Sequence, residues 1–333
     1  MRILSLKSAD GLDAVSLDST ALPEPGAGEV RVAIRAASLN HRELWITRGQ
    51  YPGMSLPATL GCDGAGVIEA VGAGVDPGQI GRQVVLYPGL NWGDDARYPA
   101  AAFGLLGMPG PGTLGDAIIV PAASAVDKPA HLNFAAAAAL PLGVLTAWRG
   151  LVTKAGLLAG EKLLITGIGG GVATFALKIA VAMGVEVFVT SGSDETLEKA
   201  KALGAKAGFN YKDESWRKAL GKTSGGIDVV FDGAPAASYP AYGRALNMGA
   251  RVVIYGSTGG MNFSVGAPEL FLKNIRIIGT NVGNLEEFKA AIAFVAEKKI
   301  EPVIDRSFSL DEAKAALAYL EQGHAFGKVV VGI

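Results

Sequence analysis

Lys162-Leu163-Leu164-Ile165-Thr166-Gly167-Ile168-Gly169-Gly170-Gly171-Val172-Ala173 is the stretch whose reading decides the fold. Its opening apolar run has the length of a buried strand, and Thr174-Phe175-Ala176-Leu177-Lys178-Ile179-Ala180-Val181-Ala182-Met183 has helical length and spacing. Val185-Glu186-Val187-Phe188-Val189-Thr190 follows at once as a second strand, so the unit is a right-handed βαβ crossover. Glycine is needed where the chain leaves a strand in a tight turn, lets an anion approach the backbone and aims the free N–H groups of a helix at it. The match to G-x-G-x-x-G/A is imperfect. With Ala173 as the third small residue, Gly170 is second and Ile168 stands first, flanked by Gly167 and Gly169. The strand before, the helix after and the second strand still supply the context the motif requires. Gly167, Gly169, Gly170, Gly171 and Val172 are therefore the candidate cradle for a dinucleotide pyrophosphate.

Downstream, residues 194–203 read as a helix with acids in its first turn and Gly204 as its cap. Further strands are expected at 207–211, 227–232, 251–255 and 275–279, and strands alternating with helices imply a doubly wound parallel sheet. Helices are expected at 285–298 and 310–322, before a last strand at 327–331. Upstream, an alanine-rich helix from Leu132 ends near Pro141, and a second covers 144–154. Residues 1–122 differ in kind: short runs such as Glu29-Val30-Arg31-Val32-Ala33-Ile34-Arg35-Ala36 alternate with period two between Pro- and Gly-rich turns. Between Gly61 and Gly72 glycines alternate with valines as in a tightly curved sheet, and 87–108 reads as a loop.

A chain of 333 residues, half of them hydrophobic, is long enough for two domains with their own cores. Its net charge of −1 lacks the basic footprint of a nucleic-acid binder. The longest apolar stretch, 134–144, is interrupted by Pro141 and too short to span a bilayer, and the first six residues lack the apolar core of a signal peptide. A cytoplasmic protein with neither nucleic-acid nor membrane partner is expected. The single cysteine, Cys62, allows no intramolecular disulfide and no Cys-rich zinc site.

Four motifs in this order, Ser38-Leu39-Asn40-His41-Arg42-Glu43-Leu44, the 61–72 segment, Leu140-Pro141-Leu142-Gly143-Val144-Leu145-Thr146-Ala147-Trp148, and the glycine turn with Ala202-Leu203-Gly204-Ala205, span most of the chain. By them it resembles the medium-chain dehydrogenase/reductase superfamily, the group of zinc alcohol dehydrogenases and quinone oxidoreductases. The resemblance implies an α/β protein: a GroES-like β-barrel catalytic domain from 1–122 and 282–333, a Rossmann domain at 123–281, and an active site in the cleft between them. It also implies a homodimer, and the apolar last sheet strand at 275–279 would leave the kind of edge that invites a second chain.

The catalytic zinc of the alcohol-dehydrogenase branch takes ligands from positions that read here Asn40, Cys62 and Leu142, of which only Cys62 ligates well. Rebuilding a site would have to recruit Asp63, His41 or Glu43. The lobe that carries a structural zinc in relatives falls near 91–98 and has no cysteine; Asp94 and Asp95 there read as solvated acids. No metal-ligating residue is assigned and zinc is not expected. Of the three histidines, His131 and His324 read as structural, while His41 lies in the motif that faces the cofactor in relatives.

The second strand ends in Thr190-Ser191-Gly192-Ser193, without the acid that binds ribose hydroxyls in NAD-specific domains. Ser191, Gly192 and Ser193 leave room and donors for a 2′-phosphate, and the resemblance places Tyr211 beside it, so NADPH is favoured with NADH possible. Thr196 stands where relatives carry a phosphate-binding lysine, and Asp194 could oppose a phosphate or cap its helix. His41, Gly256, Ser257, Asn281 and Lys328 complete the expected cofactor contacts.

Without a Lewis acid, simple alcohols and ketones are disfavoured substrates. A quinone or an α,β-unsaturated carbonyl spreads the arriving charge onto oxygen, where hydrogen-bond donors can hold it. Asn40 is the first candidate donor, Tyr51 and Thr146 the next. The expectation is a zinc-independent reductase. Its rivals are an alcohol dehydrogenase with a rebuilt zinc site and a nucleotide-binding protein without turnover.

Overall fold

The computed structural model describes residues 1–333 and divides them into two units, Met1–Leu142 with Gly283–Ile333, and Gly143–Val282. In the second unit six parallel strands stand in the order Ala207–Asn210, Glu186–Ser191, Lys162–Ile165, Ile227–Asp232, Leu246–Ile254, Arg276–Gly279. The order reverses beside Lys162–Ile165, and the glycine turn leaves that strand at the switch point, where α/β sheets bind ligands. Strand period puts Leu164, Phe188, Val230 and Val252 on one face, fully buried with Trp216, Leu220, Tyr239 and Tyr242. Burying each such side chain is worth about 1.5–3 kcal/mol, and together they fix the register of the central strands.

The glycine turn opens the helix Gly171–Ala182, whose N-cap, Gly170, provides no side chain for the first N–H groups. By contrast the next helix, Asp194–Ala202, is capped by Ser193, which accepts from the Thr196 N–H at 3.3 Å. The strand expected at 251–255 begins earlier, at Leu246. After the buried Leu246, Asn247 is half-buried, Met248 and Gly249 are exposed, and Gly249 stands at φ 74°, so no apolar alternation marks this beginning.

The first unit is mostly β. One sheet of seven strands carries the path Ala125–Asp127, Gln83–Leu86, Asp63–Val71, Glu29–Ser38, Lys328–Gly332, Ile304–Ser309, with Ala117–Pro121 also paired to Glu29–Ser38. The C-terminal strand Lys328–Gly332 thus lies beside Glu29–Ser38. The pairing of Glu29–Ser38 with Asp63–Val71 shifts register twice, and a Cβ at Gly66 would sit 2.1 Å from the Ala33 carbonyl oxygen. This close approach is the physical reason for the glycine pattern between 61 and 72. Two features place 123–142 in this unit, beyond the expected boundary at 122. Ala125–Asp127 extends the sheet, and Asn133 caps the helix Phe134–Ala138 that packs on it. The boundary falls inside the next helix, Pro141–Trp148, which runs on as a π-helical segment, Arg149–Lys154.

The segment 87–108 holds one short strand pair, Gly89–Leu90 with Gly104–Leu105. Its exposed tip is tied by Arg97 on Asp95 at 2.7 Å and by the edge-on rings of Trp92 and Phe103. No helix is long and apolar enough to cross a membrane.

Candidate functional site

Two groups of expected site residues form, one in each unit. In the unit Gly143–Val282 the glycine turn carries Gly167 at φ 64° and Gly169 at φ 152°, conformations that L side chains rarely adopt. Gly170 has an ordinary backbone, and a Cβ built there would find no protein atom within 4 Å. The fold does not itself demand glycine at that position. The open space lies in front of the uncapped N–H groups of Gly171–Ala182, an arrangement suited to a pyrophosphate.

Beside the turn, a cleft of about 440 Å³ is lined by Thr166, Gly167, Thr190, Tyr211, Trp216 and Arg217, among others. Behind the lining residues Thr166, Ala234 and Ser238, Asp232 is fully buried at the end of its strand and accepts from Thr166 Oγ1 at 2.6 Å, Ser238 Oγ at 2.6 Å, Tyr242 Oη at 2.7 Å and the Ala234 N–H at 2.8 Å. Burial, with this carboxylate close by, pushes the Tyr242 hydroxyl up so that it remains a donor. Tyr211 lies across Gly192, where a Cβ would meet its hydroxyl at 2.7 Å. Ser191 is buried and accepts from the Ser193 N–H at 3.2 Å. Asp194 is turned to Asn210, whose Nδ2 donates to it at 2.9 Å. Gly256 packs on Gly233, Ser257 and Asn281 are exposed, and Thr146 is buried in the helix Pro141–Trp148.

The other unit gathers Asn40, Cys62, Asp63 and Lys328. Asn40 precedes the helix His41–Thr47 because Glu43, three residues on, reaches back to its N–H at 2.8 Å. Asp63 begins its strand and is fully buried, and its carboxylate accepts from Ser38 Oγ at 3.0 Å, Asn40 Nδ2 at 2.8 Å, the Leu142 N–H at 2.8 Å and Lys328 Nζ at 2.8 Å. Lys328, only 3% exposed, also donates to Asn40 Oδ1 at 2.6 Å. Asn40 Nδ2 lies 3.4 Å from Cys62 Sγ, whose thiol is pushed well up by burial and then by the Asp63 and Glu43 charges. Next to them Arg42 pairs with Glu43 at 3.1 Å and holds the carbonyls of Leu106 and Met108. Its guanidinium stands 4.7 Å over the Tyr51 ring, and its Nε donates to the Tyr51 oxygen at 3.3 Å. His41 is exposed, yet atoms packed about its ring and then the Lys328 ammonium hold its pKa below the ordinary 6.5.

Residues 26–130 match the alcohol dehydrogenase GroES-like domain, and 171–297 match the zinc-binding dehydrogenase domain. The zinc-type alcohol dehydrogenase-like protein YogA of Leptosphaeria maculans is 36% identical over 96% of this chain and 94% of its own. The chain belongs to the medium-chain dehydrogenase/reductase superfamily. It is an oxidoreductase of that family, with the GroES-like domain and Rossmann-like parallel sheet of its members. The quinone oxidoreductase of Mus musculus is 29% identical over 98% of this chain and 96% of its own. A crystal structure described as an NAD-dependent alcohol dehydrogenase superposes with a TM-score of 0.94 at 34% identity, covering all of both chains.

The resemblance sets the metal ligands of the zinc branch at the positions of Asn40, Cys62 and Leu142. Here these positions do converge, but on Asp63: Asn40 gives it an amide N–H, Leu142 a backbone N–H, and Lys328 an ammonium. Zinc does not fit this donor set, because Asn40 Oδ1 and Asp63 Oδ2 are hydrogen-bonded to the Lys328 ammonium and Asp63 Oδ1 to the Leu142 N–H. Sequence reasoning missed the Lys328–Asp63 pair, whose partners are 265 residues apart, having placed Lys328 among the cofactor contacts. It also missed the Asp232 hub and Arg217 in the cleft. The available signal for the hub was an acid ending an otherwise apolar strand, Ile227-Asp228-Val229-Val230-Phe231-Asp232.

Proposed function

We propose that this oxidoreductase transfers hydride from NADPH to a quinone or an α,β-unsaturated carbonyl without zinc. The observation that carries the reading is the Lys328–Asp63–Asn40 network, which engages Asn40 and Leu142, two of the three positions of a metal's ligands in relatives. With no strong Lewis acid, the substrate must delocalise the negative charge itself, as a quinone or enone does. The quinone oxidoreductase among its relatives supports this choice. The name of the zinc-type relative favours the rival, an alcohol dehydrogenase with a rebuilt site, and the Lys328 contacts argue against it.

NADPH, when bound, supplies the hydride. The glycine turn holds its pyrophosphate. Ser191, Gly192 and Ser193 bring no carboxylate to the adenosine ribose, Asp194 is engaged by Asn210, and Arg217 lines the cleft beside Tyr211. Arg217 is a cation for the 2′-phosphate that sequence reasoning did not consider. Because one similar structure is described as NAD-dependent, the choice of NADPH rests on these residues and not on the family.

Among the candidate donors, Asn40 commits both amide hydrogens to Asp63 and Cys62. Tyr51 accepts from Arg42, which leaves its own O–H to give. We therefore rank Tyr51 above Asn40 as the group that meets the developing charge, with Thr146 as the alternative. The exposed edge strand Arg276–Gly279, with Phe271 and Leu272 exposed on the preceding helix Ala267–Lys273, supports a homodimer built through this sheet edge. A turnover screen of quinones, enones and alcohols with both nicotinamides tests the reading. NADPH oxidation by quinones or enones is expected, and turnover of alcohols alone would refute it.

A further inference from the structure

We propose that the Lys328 ammonium is the resident cation of the Asn40–Cys62–Asp63 cluster, and that this ammonium, rather than a shortage of ligands, keeps a divalent metal out. The proposal deepens the zinc-independent reading and rests on it. Three donors of suitable kind lie together: the Cys62 sulfur is 3.6 Å from Asp63 Oδ1 and 3.4 Å from the Asn40 amide nitrogen, which is itself 2.8 Å from Asp63 Oδ2. With Lys328 gone, a thiolate and a carboxylate, the Asn40 amide oxygen as a weaker third ligand and one water would complete a four-coordinate site.

Lys328 closes it in two ways. Its Nζ lies 2.6 Å from Asn40 Oδ1 and 2.8 Å from Asp63 Oδ2, which engages both, while the other carboxylate oxygen, Oδ1, already accepts from the Leu142 N–H at 2.8 Å. Lysine has donors only, which fixes the Asn40 amide with its oxygen toward Nζ and its N–H groups toward Cys62 and Asp63. The side chain at the first ligand position thereby offers hydrogens where a metal needs lone pairs. The buried charges also balance without a metal, since Lys328 meets Asp63 and Arg42 meets Glu43. A dication added beside a fixed ammonium in a buried site would be repelled strongly.

The test is a titration with cobalt(II), whose bond to a thiolate gives a charge-transfer absorption, on the native chain, Lys328→Met, Lys328→Arg and Lys328→Met/Cys62→Ser. The native chain and Lys328→Arg are expected to stay silent. Lys328→Met should take up one equivalent with the absorption, and the added Cys62→Ser should abolish it. If Lys328→Met folds poorly, its melting temperature with and without zinc gives the same answer, since a metal that binds only the folded chain raises it. A folded Lys328→Met without the absorption, or an unstable one without a rise in melting temperature, overturns the proposal while leaving the zinc-independent reading intact. A cobalt–thiolate absorption in the native chain overturns both.

Discussion

At Gly170 an added Cβ would find no protein atom within 4 Å, whereas the Asp63 carboxylate is met by Ser38, Asn40, Leu142 and Lys328 of its own chain. One region is held open by glycine and backbone N–H groups; the other is filled by side chains that satisfy one another. An open cradle contributes little to folding and much to binding. A closed ionic cluster does the reverse, because each buried charge depends on its partner.

The largest effect should come from breaking the closed region. Asp63→Ala leaves the Lys328 ammonium buried without its carboxylate, and a loss of about 3–5 kcal/mol is expected in denaturant unfolding. A change within about 0.5 kcal/mol, the range of ordinary surface substitutions, would show that the cluster is not a stability element. In the open region, Ser191→Asp puts a carboxylate at the end of the second strand and should weaken NADPH about ten- to hundredfold while leaving NADH bound. Equal loss of both nucleotides would mean that the strand end does not read the 2′-phosphate.

Gly170→Val separates the regions most cleanly. Stability should fall by only about 1 kcal/mol, the cost of a poorer N-cap residue, because the backbone there suits any residue and the added Cβ meets no protein atom, yet both nucleotides should bind about tenfold more weakly. Unchanged affinity would place the pyrophosphate elsewhere. The smallest effect concerns His41. Its folded-state pKa is lowered from 6.5, so its contribution to stability is complete above that pH and is lost as pH falls through the lowered value. If the cofactor's diphosphate lies by His41, as the resemblance implies, it favours the imidazolium and binding takes up a proton. NADPH affinity should rise a few fold as pH drops below 6.5, and His41→Asn should flatten the profile. An identical slope in the variant would separate His41 from the cofactor.

The same contrast explains what could be read from the sequence. The glycine turn is local: strand, turn and helix follow one another within 162–182, and the reasons for glycine are backbone reasons visible in the residue type. The helix Leu285–Lys298 was equally legible, since Asn284 and Glu287 form a capping box and its apolar spacing is regular. The helix Pro235–Tyr242 was harder, with Pro240 inside it and almost no polar face. The Asp63 cluster draws on Ser38 and Asn40, Cys62 and Asp63, Leu142 and Lys328, segments joined only by the fold. The motifs marked the positions a metal's ligands occupy in relatives, but a lysine pairing across 265 residues leaves no spacing to read.

The most direct measurement is NADPH oxidation by a quinone after exhaustive chelation, with metal content determined on the same sample. The account predicts no stoichiometric zinc and an undiminished rate. One equivalent of zinc, lost in step with the rate, would contradict it.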